Sequence, residues 1–261
     1  MESSSRAWCA VAAYLYVLHL DSLSLAWEYL RRNPLYLADC RSHAHDDPSF
    51  TNRWGIVFPE NPSCDAFTVQ PVWYPDPDTL VRIWADESDA SLAAKPFSLW
   101  AIPGRKSLLH DGRRLLLTAV LGTRVLRLSI AGSVSNGRSF AFVIPSGPRA
   151  KVSWQEVQNY LAVLRTADPG TVYVRASPPG RLGSLHMRAL QALDGRTAGA
   201  SQRDIAAAIF GEARVREHWH ADSQLRAQVR HLLRRGEALM RGEYRALITA
   251  SAACAYGDER R

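Results

Sequence analysis

Residues 182–248 carry the pattern that most constrains this chain, a helical hydrophobic repeat broken at two joints. It predicts three helices, at about 182–193, 201–210 and 223–241. Asp194-Gly195 is expected to end the first helix, because glycine readily takes the left-handed conformation that follows many helices. Ser201 and Asp204 form a capping-box pattern at the start of the second. The sequence therefore predicts a trihelical bundle near the C-terminus.

The third predicted helix has one apolar face and one basic face. At about 100° per residue, Leu225, Val229 and Leu232 fall on the apolar side. The opposite side carries the residues expected to meet base edges, which are Ser223, Gln224, Arg226, Ala227 and Arg230. Arg can fork onto guanine, Gln and Ser can bond base edges, and Ala can touch a thymine methyl group. This arrangement is typical of helix-turn-helix proteins, whose second helix enters the major groove.

Further arginines are expected to contact phosphates or solvent, namely Arg203, Arg234, Arg235 and Arg241. Two observations weaken the interpretation. A solvated helix face in an arginine-rich protein has the same pattern. In addition, about ten residues, 212–221, separate the second and third helices, where three or four are usual. Either this joint holds an extra turn, or Trp219 packs back into the helical core.

The distribution of charge indicates a polyanionic partner. The chain has a formal net charge of +7, and 15 arginines against nine acidic residues lie between Arg175 and the C-terminus. A basic region on a near-neutral body suits DNA, because each phosphate contact releases counterions. However, 29 arginines beside three lysines also suit a GC-rich genome, so the number of arginines alone does not identify the partner.

Composition predicts a globular protein with one or two domains, since 47% of the 261 residues are hydrophobic. The four cysteines form no CxxC pair, so we expect neither disulfides nor a zinc site, and a reducing compartment. The apolar stretch Ala7–Leu20 is too short to span a membrane and lacks the basic start of a signal peptide. We therefore expect an unprocessed, soluble, cytoplasmic protein without a membrane partner, associated with the nucleoid when DNA is bound.

The middle of the chain predicts β-structure. Residues 94–146 have the alternation and turn signals of an antiparallel meander with four or five strands. Residues 97–102 are expected to form the first strand, and Asp111-Gly112 predicts a hairpin turn. Ser153 begins a capping-box pattern that predicts a linking helix at 153–167.

The predicted fold class is α+β. Residues 1–90 are expected to form an aromatic-rich N-terminal domain, in which Ser24 caps a helix that ends at Asn33-Pro34. Residues 91–249 are expected to form a C-terminal DNA-binding domain containing the meander, the linking helix and the helix-turn-helix-like bundle. Residues 250–261 are predicted to be a flexible tail.

The sequence offers only a weak case for catalysis. His43, His45 and Asp47 could bind a metal, although no further ligand can be identified. His218 and His220 could contact a phosphate or base, but a loop around a buried Trp219 is the more ordinary interpretation. The sequence has no phosphate-binding loop, nucleophile elbow or HExxH motif. We therefore predict no catalytic residue, no cofactor and no bound metal.

Several motifs resemble a known family of regulators. The segments WEYLRRNPLY (27–36) and FPENP (58–62) resemble the N-terminal transcriptional-regulator domain encoded on proteobacterial integrative and conjugative elements. The segments LDGR (193–196), AGAS (198–201) and LMRGEYR (239–245) resemble the companion C-terminal DNA-binding domain. With both domains in one chain, the protein is similar to FseA-type transcriptional activators.

This resemblance implies activation of genes that control excision or transfer of the mobile element. The implied partners are promoter DNA, RNA polymerase and, in some systems, a small antiactivator protein. Residues 220–225 depart from the Thr-Ser-Ser-Leu expected at the start of the third helix, so the operator is expected to differ. Two alternatives remain open: a non-catalytic module whose basic helix docks an acidic protein, and a metal-dependent nucleic-acid enzyme that uses His43, His45 and Asp47.

Overall fold

The computed structural model describes residues 4–42, 49–77, 79–86, 96–122, 124–147, 150–166 and 180–249. Within these ranges, helices lie towards both ends of the chain and a five-stranded sheet lies in the middle, which confirms the α+β class. The described residues form two compact units. The first combines the described residues of 4–74 with 180–248, and the second contains the described residues of 75–166.

Short helices form the N-terminal part of the first unit. They are two 3-10 helices (Ser4–Cys9 and Val11–His19), α1 (Ser22–Leu30), α2 (Pro34–Arg41) and α3 (Phe50–Trp54). The Asp21 carboxylate accepts a hydrogen bond from the Ser24 backbone N–H, so Asp21 caps α1 and the predicted cap at Ser24 is wrong. Asn33 caps α2, and Pro34 occupies its first turn, where the missing N–H costs no helical hydrogen bond.

The second unit is a sheet with one helix. Its elements are β1 (Val81–Ala85), β2 (Arg105–His110), β3 (Arg114–Leu121), β4 (Arg124–Ala131), β5 (Phe140–Val143) and α4 (Ala150–Thr166). The strand order is β2-β3-β4-β1-β5, with β1 parallel to β4 and the other neighbours antiparallel. Ile83, Leu128 and Tyr160 of α4 share its core. The predicted meander therefore holds for β2 to β4, and β1 separates β4 from β5.

The local predictions in this unit had mixed outcomes. The hairpin turn at Asp111-Gly112 is confirmed, because Gly112 has φ of 93° and the Asp111 carboxylate accepts from the Arg113 N–H. Residues 97–102 contain turns instead of the predicted strand. Ser153 is buried inside α4, which begins earlier, at Ala150, so Ser153 does not cap this helix. A short apolar run is compatible with a strand but does not establish one, which explains the error at 97–102.

The C-terminal part of the first unit is helical. Its elements are α5 (Arg181–Thr197), α6 (Gln202–Phe210), α7 (Glu212–His218), α8 (Gln224–Ala238), a π-helical turn (Leu239–Glu243) and α9 (Tyr244–Thr249). The predicted capping box of Ser201 and Asp204 is confirmed. The ten-residue joint holds α7, and Trp219 packs against the helical core, so both interpretations of this joint are correct.

The predicted end of α5 is wrong, because the helix continues through Asp194-Gly195 to Thr197. The left-handed residue after the helix is Gly199, with φ of 80°. Gly195 has a packing role instead: a Cβ atom there would lie 2.9 Å from the Trp8 ring. This contact joins positions almost 190 residues apart and has no local signal.

The N-terminal and C-terminal helices of the first unit share one apolar core. Trp27 of α1 lies in the same buried cluster as Leu190 of α5 and Leu239 of the π-helical turn. The Asn33 side-chain amide donates a hydrogen bond to the Met240 carbonyl at 2.8 Å. The compact units therefore do not follow the division predicted at residue 90, since segments distant in sequence bury each other.

An ionic cluster, which we call the Arg32 cluster, crosses this core. The Glu28 carboxylate accepts hydrogen bonds from the guanidinium groups of Arg31 and Arg32, at 2.7 and 2.6 Å. Arg32 also donates two hydrogen bonds to Asp194 of α5, and the Tyr14 hydroxyl donates a third. Burial would raise the pKa of Glu28, but the two guanidinium charges outweigh it and hold that pKa below its usual value.

A buried histidine gives this unit a pH-dependent stability. His186 of α5 is 0% exposed and is hydrogen-bonded to the Tyr29 hydroxyl at 2.9 Å. Burial, assisted by the charge of Arg235, lowers the pKa of His186 to about 4. The unfolded chain has the ordinary histidine pKa of about 6.5, so below that pH protons favour the unfolded state. The free energy of unfolding is therefore expected to fall by about 2 kcal/mol between pH 7 and pH 5.

Urea denaturation at pH 7, 6 and 5 measures this loss before most carboxylates titrate. A His186→Gln variant should show a flatter pH dependence, whereas His218→Gln, at an exposed histidine, should behave like the wild type. Equal pH dependence in the wild type and the His186 variant would contradict the prediction.

Candidate nucleic-acid interface

The candidate interface is built on α8. The Ser223 hydroxyl accepts a hydrogen bond from the Arg226 backbone N–H at 3.2 Å, which starts the helix at Gln224. Val229 lies in the buried cluster that α8 shares with α5 and α6. At Gly236 the helices α8 and α5 approach closely, since a Cβ atom there would lie 3.0 Å from the Ala189 carbonyl oxygen. These contacts fix which side of α8 faces outwards.

The outward side of α8 carries exposed residues that we call the α8 ridge. They are Gln224, Ala227, Arg230, His231 and Arg234. At about 100° per residue they occupy an arc of roughly 120°. A single helix with such a polar strip fits the major groove, which is about 12 Å wide. His231 was not among the predicted residues, although the same helical spacing places it on the ridge.

The predicted residues are only partly brought together. Gln224, Ala227, Arg230 and Arg234 lie on the ridge. Arg226 lies half-buried at its flank, and its guanidinium donates to the Ala221 carbonyl at 3.5 Å.

Two predicted residues lie on other elements. Arg203 is exposed on α6. Arg241 is also exposed, but it belongs to the π-helical turn, roughly 25 Å along the helix axis from Gln224. Arg241 is therefore distant from the residues at the start of α8.

One predicted contact needs correction, and another predicted residue is less exposed than the ridge. Ser223 is 4% exposed, and its hydroxyl is used as the N-cap of α8, so it does not present itself to a base edge. Arg235 is half-buried, and its charge acts on His186 in the core. Its buried Nε has no hydrogen-bond partner among the residues that the structure describes. The buried Ser223 hydroxyl therefore does not fit the predicted contact with a base edge, whereas the contact of Arg235 with phosphate or solvent stays a prediction.

Two surface cavities flank α8. One, of about 420 Å³, is lined by Arg196, Gln202, Ala227, Arg230, Leu233, Arg234 and Glu237, and we call it the α5–α8 cleft. The other, of about 370 Å³, is lined by Arg214, His218, His220, Ser223, Gln224, Leu225 and Gln228. Both cavities border residues of the α8 ridge, so neighbouring elements also supply polar groups to this surface.

The sequence did not predict several of these groups. Arg214 belongs to α7, which occupies the segment considered as a joint. His218 lies on the same helix; it was considered as a phosphate or base contact but was not among the predicted DNA-binding residues. Arg196 was not predicted as a site residue, because α5 was expected to end before it. The one available signal was Trp219, since an indole packed on the core holds the adjacent His218 and His220 near the start of α8.

The described ranges contain no group of three His, Cys, Asp or Glu side chains placed to hold a metal ion. His43, His45 and Asp47 lie outside the described residues. No helix within the described part of the chain is long and apolar enough to cross a membrane.

A capped helical bundle that exposes a basic helix is an arrangement used by DNA-binding proteins. Comparison with known families agrees with this class. Residues 143–249 match a family described as "T6SS, Transcription factor, DNA binding domain", and residues 7–59 match a "Proteobacterial transcriptional regulator-like domain". Residues 78–125 match a domain of unknown function, DUF7011. A comparison with curated proteins gave no significant match.

The two matches to domains of described function identify the chain as a DNA-binding transcription regulator. Neither of these domains is of an enzyme family. They cover the segments on which the FseA-type resemblance rests, namely most of 27–62 and all of 193–245. The α8 ridge lies within the DNA-binding match.

Proposed function

We propose that this protein is a sequence-specific transcriptional activator that inserts the α8 ridge into the major groove of promoter DNA. The observation that carries the proposal is the exposed polar ridge on a helix inside the segment matched to a DNA-binding domain. The N-terminal residues of a recognition helix usually contact base edges. Gln224 and Ala227 are therefore assigned to base reading, with α6 and α8 as a helix-turn-helix pair separated by α7.

The ion pairs that the arginines form, or do not form, support this assignment. In the N-terminal part of the first unit, Arg31, Arg32 and Arg53 form ion pairs within the protein. By contrast, Arg230 and Arg234 of the ridge form no ion pair with the described residues. Cations without an internal partner on one surface attract a polyanion and raise its rate of association.

The choice of target genes rests on likeness to other proteins. Resemblance to FseA-type activators supports genes for excision or transfer of an integrative and conjugative element. The matched family description names a T6SS transcription factor, which supports T6SS genes as a second candidate set. In either case we propose that the protein acts in the cytoplasm and associates with the nucleoid when bound to promoters. RNA polymerase and a small antiactivator are its proposed protein partners.

Fluorescence anisotropy with promoter fragments from both gene sets tests the reading of DNA sequence. The wild type is expected to prefer particular fragments. Gln224→Ala should reduce that preference roughly tenfold, because one base contact is worth about 1–3 kcal/mol. Arg203→Ala should instead weaken binding to all fragments alike.

Gln155→Ala, at an exposed glutamine of α4 in the second unit, is the matched control and should bind like the wild type. A wild type without any preference among fragments would show that the proposed sequence-specific reading is wrong. Transcription in vitro with RNA polymerase then tests activation, since a repressor would lower the amount of transcript.

Salt dependence separates this function from docking on an acidic protein. For duplex DNA, the logarithm of the binding constant falls with the logarithm of salt concentration by about 0.9 per phosphate contact. If the binding constant for DNA hardly changes with salt concentration and the protein binds an acidic protein tightly, the interaction module is favoured.

A further inference from the structure

The α5–α8 cleft concentrates positive charge beside the α8 ridge. Three arginines line it, Arg196, Arg230 and Arg234, together with one acidic residue, Glu237. None of the three arginines forms an ion pair with any residue that the structure describes. Like charges around one cavity repel each other, and a bound anion would replace that repulsion with attraction.

The wall that carries Arg196 is held in place by the fold. The Arg196 carbonyl accepts a hydrogen bond from the Gly199 N–H at 3.0 Å, and the Ala198 N–H bonds the Asp194 carbonyl at 2.9 Å. Asp194 is itself held by Arg32 at 2.7 Å. Because this backbone is positioned before a ligand arrives, less ordering entropy is lost on binding.

The start of α6, which also lines the cleft, is equally well determined. Gly199, with φ of 80°, turns the chain into α6, and the capping box of Ser201 and Asp204 starts that helix. Gln202 at the start of α6 therefore lines the cleft together with Arg230 of α8. The cleft is thus lined by α5, α6 and α8, and local hydrogen bonds fix the end of α5 and the start of α6 beside it.

The lining favours a phosphate group of DNA over a free nucleotide. Guanidinium groups donate paired hydrogen bonds to phosphate oxygens. The described lining contains no aromatic ring, whereas sites for small molecules are usually lined by apolar and aromatic side chains. Arg230 and Arg234 belong both to the cleft and to the ridge, so a strand beside the entered groove would pass over the cleft.

We propose that the α5–α8 cleft binds a backbone phosphate of DNA, with Arg196, Arg230 and Arg234 as donors. This inference rests on the proposed function and names the contact that sets the position of α8 on the duplex. Phosphate contacts fix the register of a recognition helix and carry no sequence information themselves. Arg196 is the informative residue because it lies on α5 and outside the base-reading helix.

Anisotropy titrations at several salt concentrations, on a preferred and a non-preferred fragment, test the proposal. Arg196→Gln is expected to weaken binding to both fragments about tenfold, and to lower the salt slope by about 0.9. The preference between the fragments should remain. Arg181→Gln makes the same charge change at the other end of α5 and should bind like the wild type. Circular dichroism melts confirm that both variants fold.

The outcomes separate this proposal from the proposed function. If the wild type prefers one fragment but Arg196→Gln binds both as the wild type does, with an unchanged slope, the phosphate site is overturned and the function stands. If the wild type does not bind DNA, both are overturned. Direct titration of the protein with inorganic phosphate and with ADP is a further test. If Arg196→Gln abolishes saturable binding of such an anion but leaves DNA binding unchanged, the cleft binds a free anion and the DNA contact is overturned.

Discussion

Replacement of Arg32 by alanine is expected to destabilise the first unit by about 3–5 kcal/mol, the usual cost of removing one partner of a buried ion pair. Glu28 is 0% exposed and would retain only Arg31 as a charged partner. Asp194 of α5 would lose both hydrogen bonds from the Arg32 guanidinium. The change therefore leaves the buried Glu28 with one cationic partner and Asp194 with only the Tyr14 hydroxyl among the described residues. It also removes the ionic link between α1 and α5.

Arg53→Ala is the matched control for this experiment. Arg53 also pairs with a carboxylate, Asp39 at 3.2 Å, but its side chain is 51% exposed. Exposed pairs contribute about 0–1 kcal/mol because water screens them. Urea denaturation of both variants measures the difference. Similar losses of stability at Arg32 and Arg53 would contradict the role assigned to the Arg32 cluster.

Deletion of residues 1–74 is expected to unfold the C-terminal helices and abolish DNA binding. Side chains of α5, the π-helical turn and α9 are buried in a cluster with the N-terminal helices; they are Leu190, Leu193, Leu239, Met240, Tyr244 and Ile248. Exposing large apolar side chains costs about 1.5–3 kcal/mol each. Six of them together approach the total stability of a typical domain, about 5–15 kcal/mol.

Far-UV circular dichroism of residues 75–261 measures this loss of helix, and anisotropy measures DNA binding by the same fragment. Deletion of residues 250–261, the predicted flexible tail, is the control and should leave both properties unchanged. A fragment 75–261 that melts cooperatively and binds DNA like the full chain would show that the shared core is dispensable.

Both expectations concern the core that the N-terminal and C-terminal helices of the regulator share. The described residues of the regulator-like match at 7–59 and residues 180–248 of the DNA-binding match lie in one compact unit. The Arg32 cluster joins α1 to α5, the helix that carries Arg196 and ends at Thr197. A protein partner that bound near α1 would therefore act on the same core that positions α8.

The sequence by itself determined those elements whose signals lie within a few residues. The capping box of Ser201 and Asp204, the end of α6 at Gly211 and the hairpin at Asp111-Gly112 are as predicted. Helical spacing also separated the buried Leu225 and Val229 from the exposed side of α8. In each case, hydrogen bonds or periodicity within one or two turns decide the conformation.

Only the tertiary structure decided the features that depend on distant partners. Gly195 lies inside α5 as a packing position, because the Trp8 ring fills the space that a side chain would need. Arg235 lies against the core because α8 packs beside His186, and β1 enters the sheet between strands that follow it much later in the chain. Arg32 and Asp194 are 162 positions apart. Such pairings follow from burying apolar surface and compensating charge across the whole chain, and no short stretch of sequence encodes them.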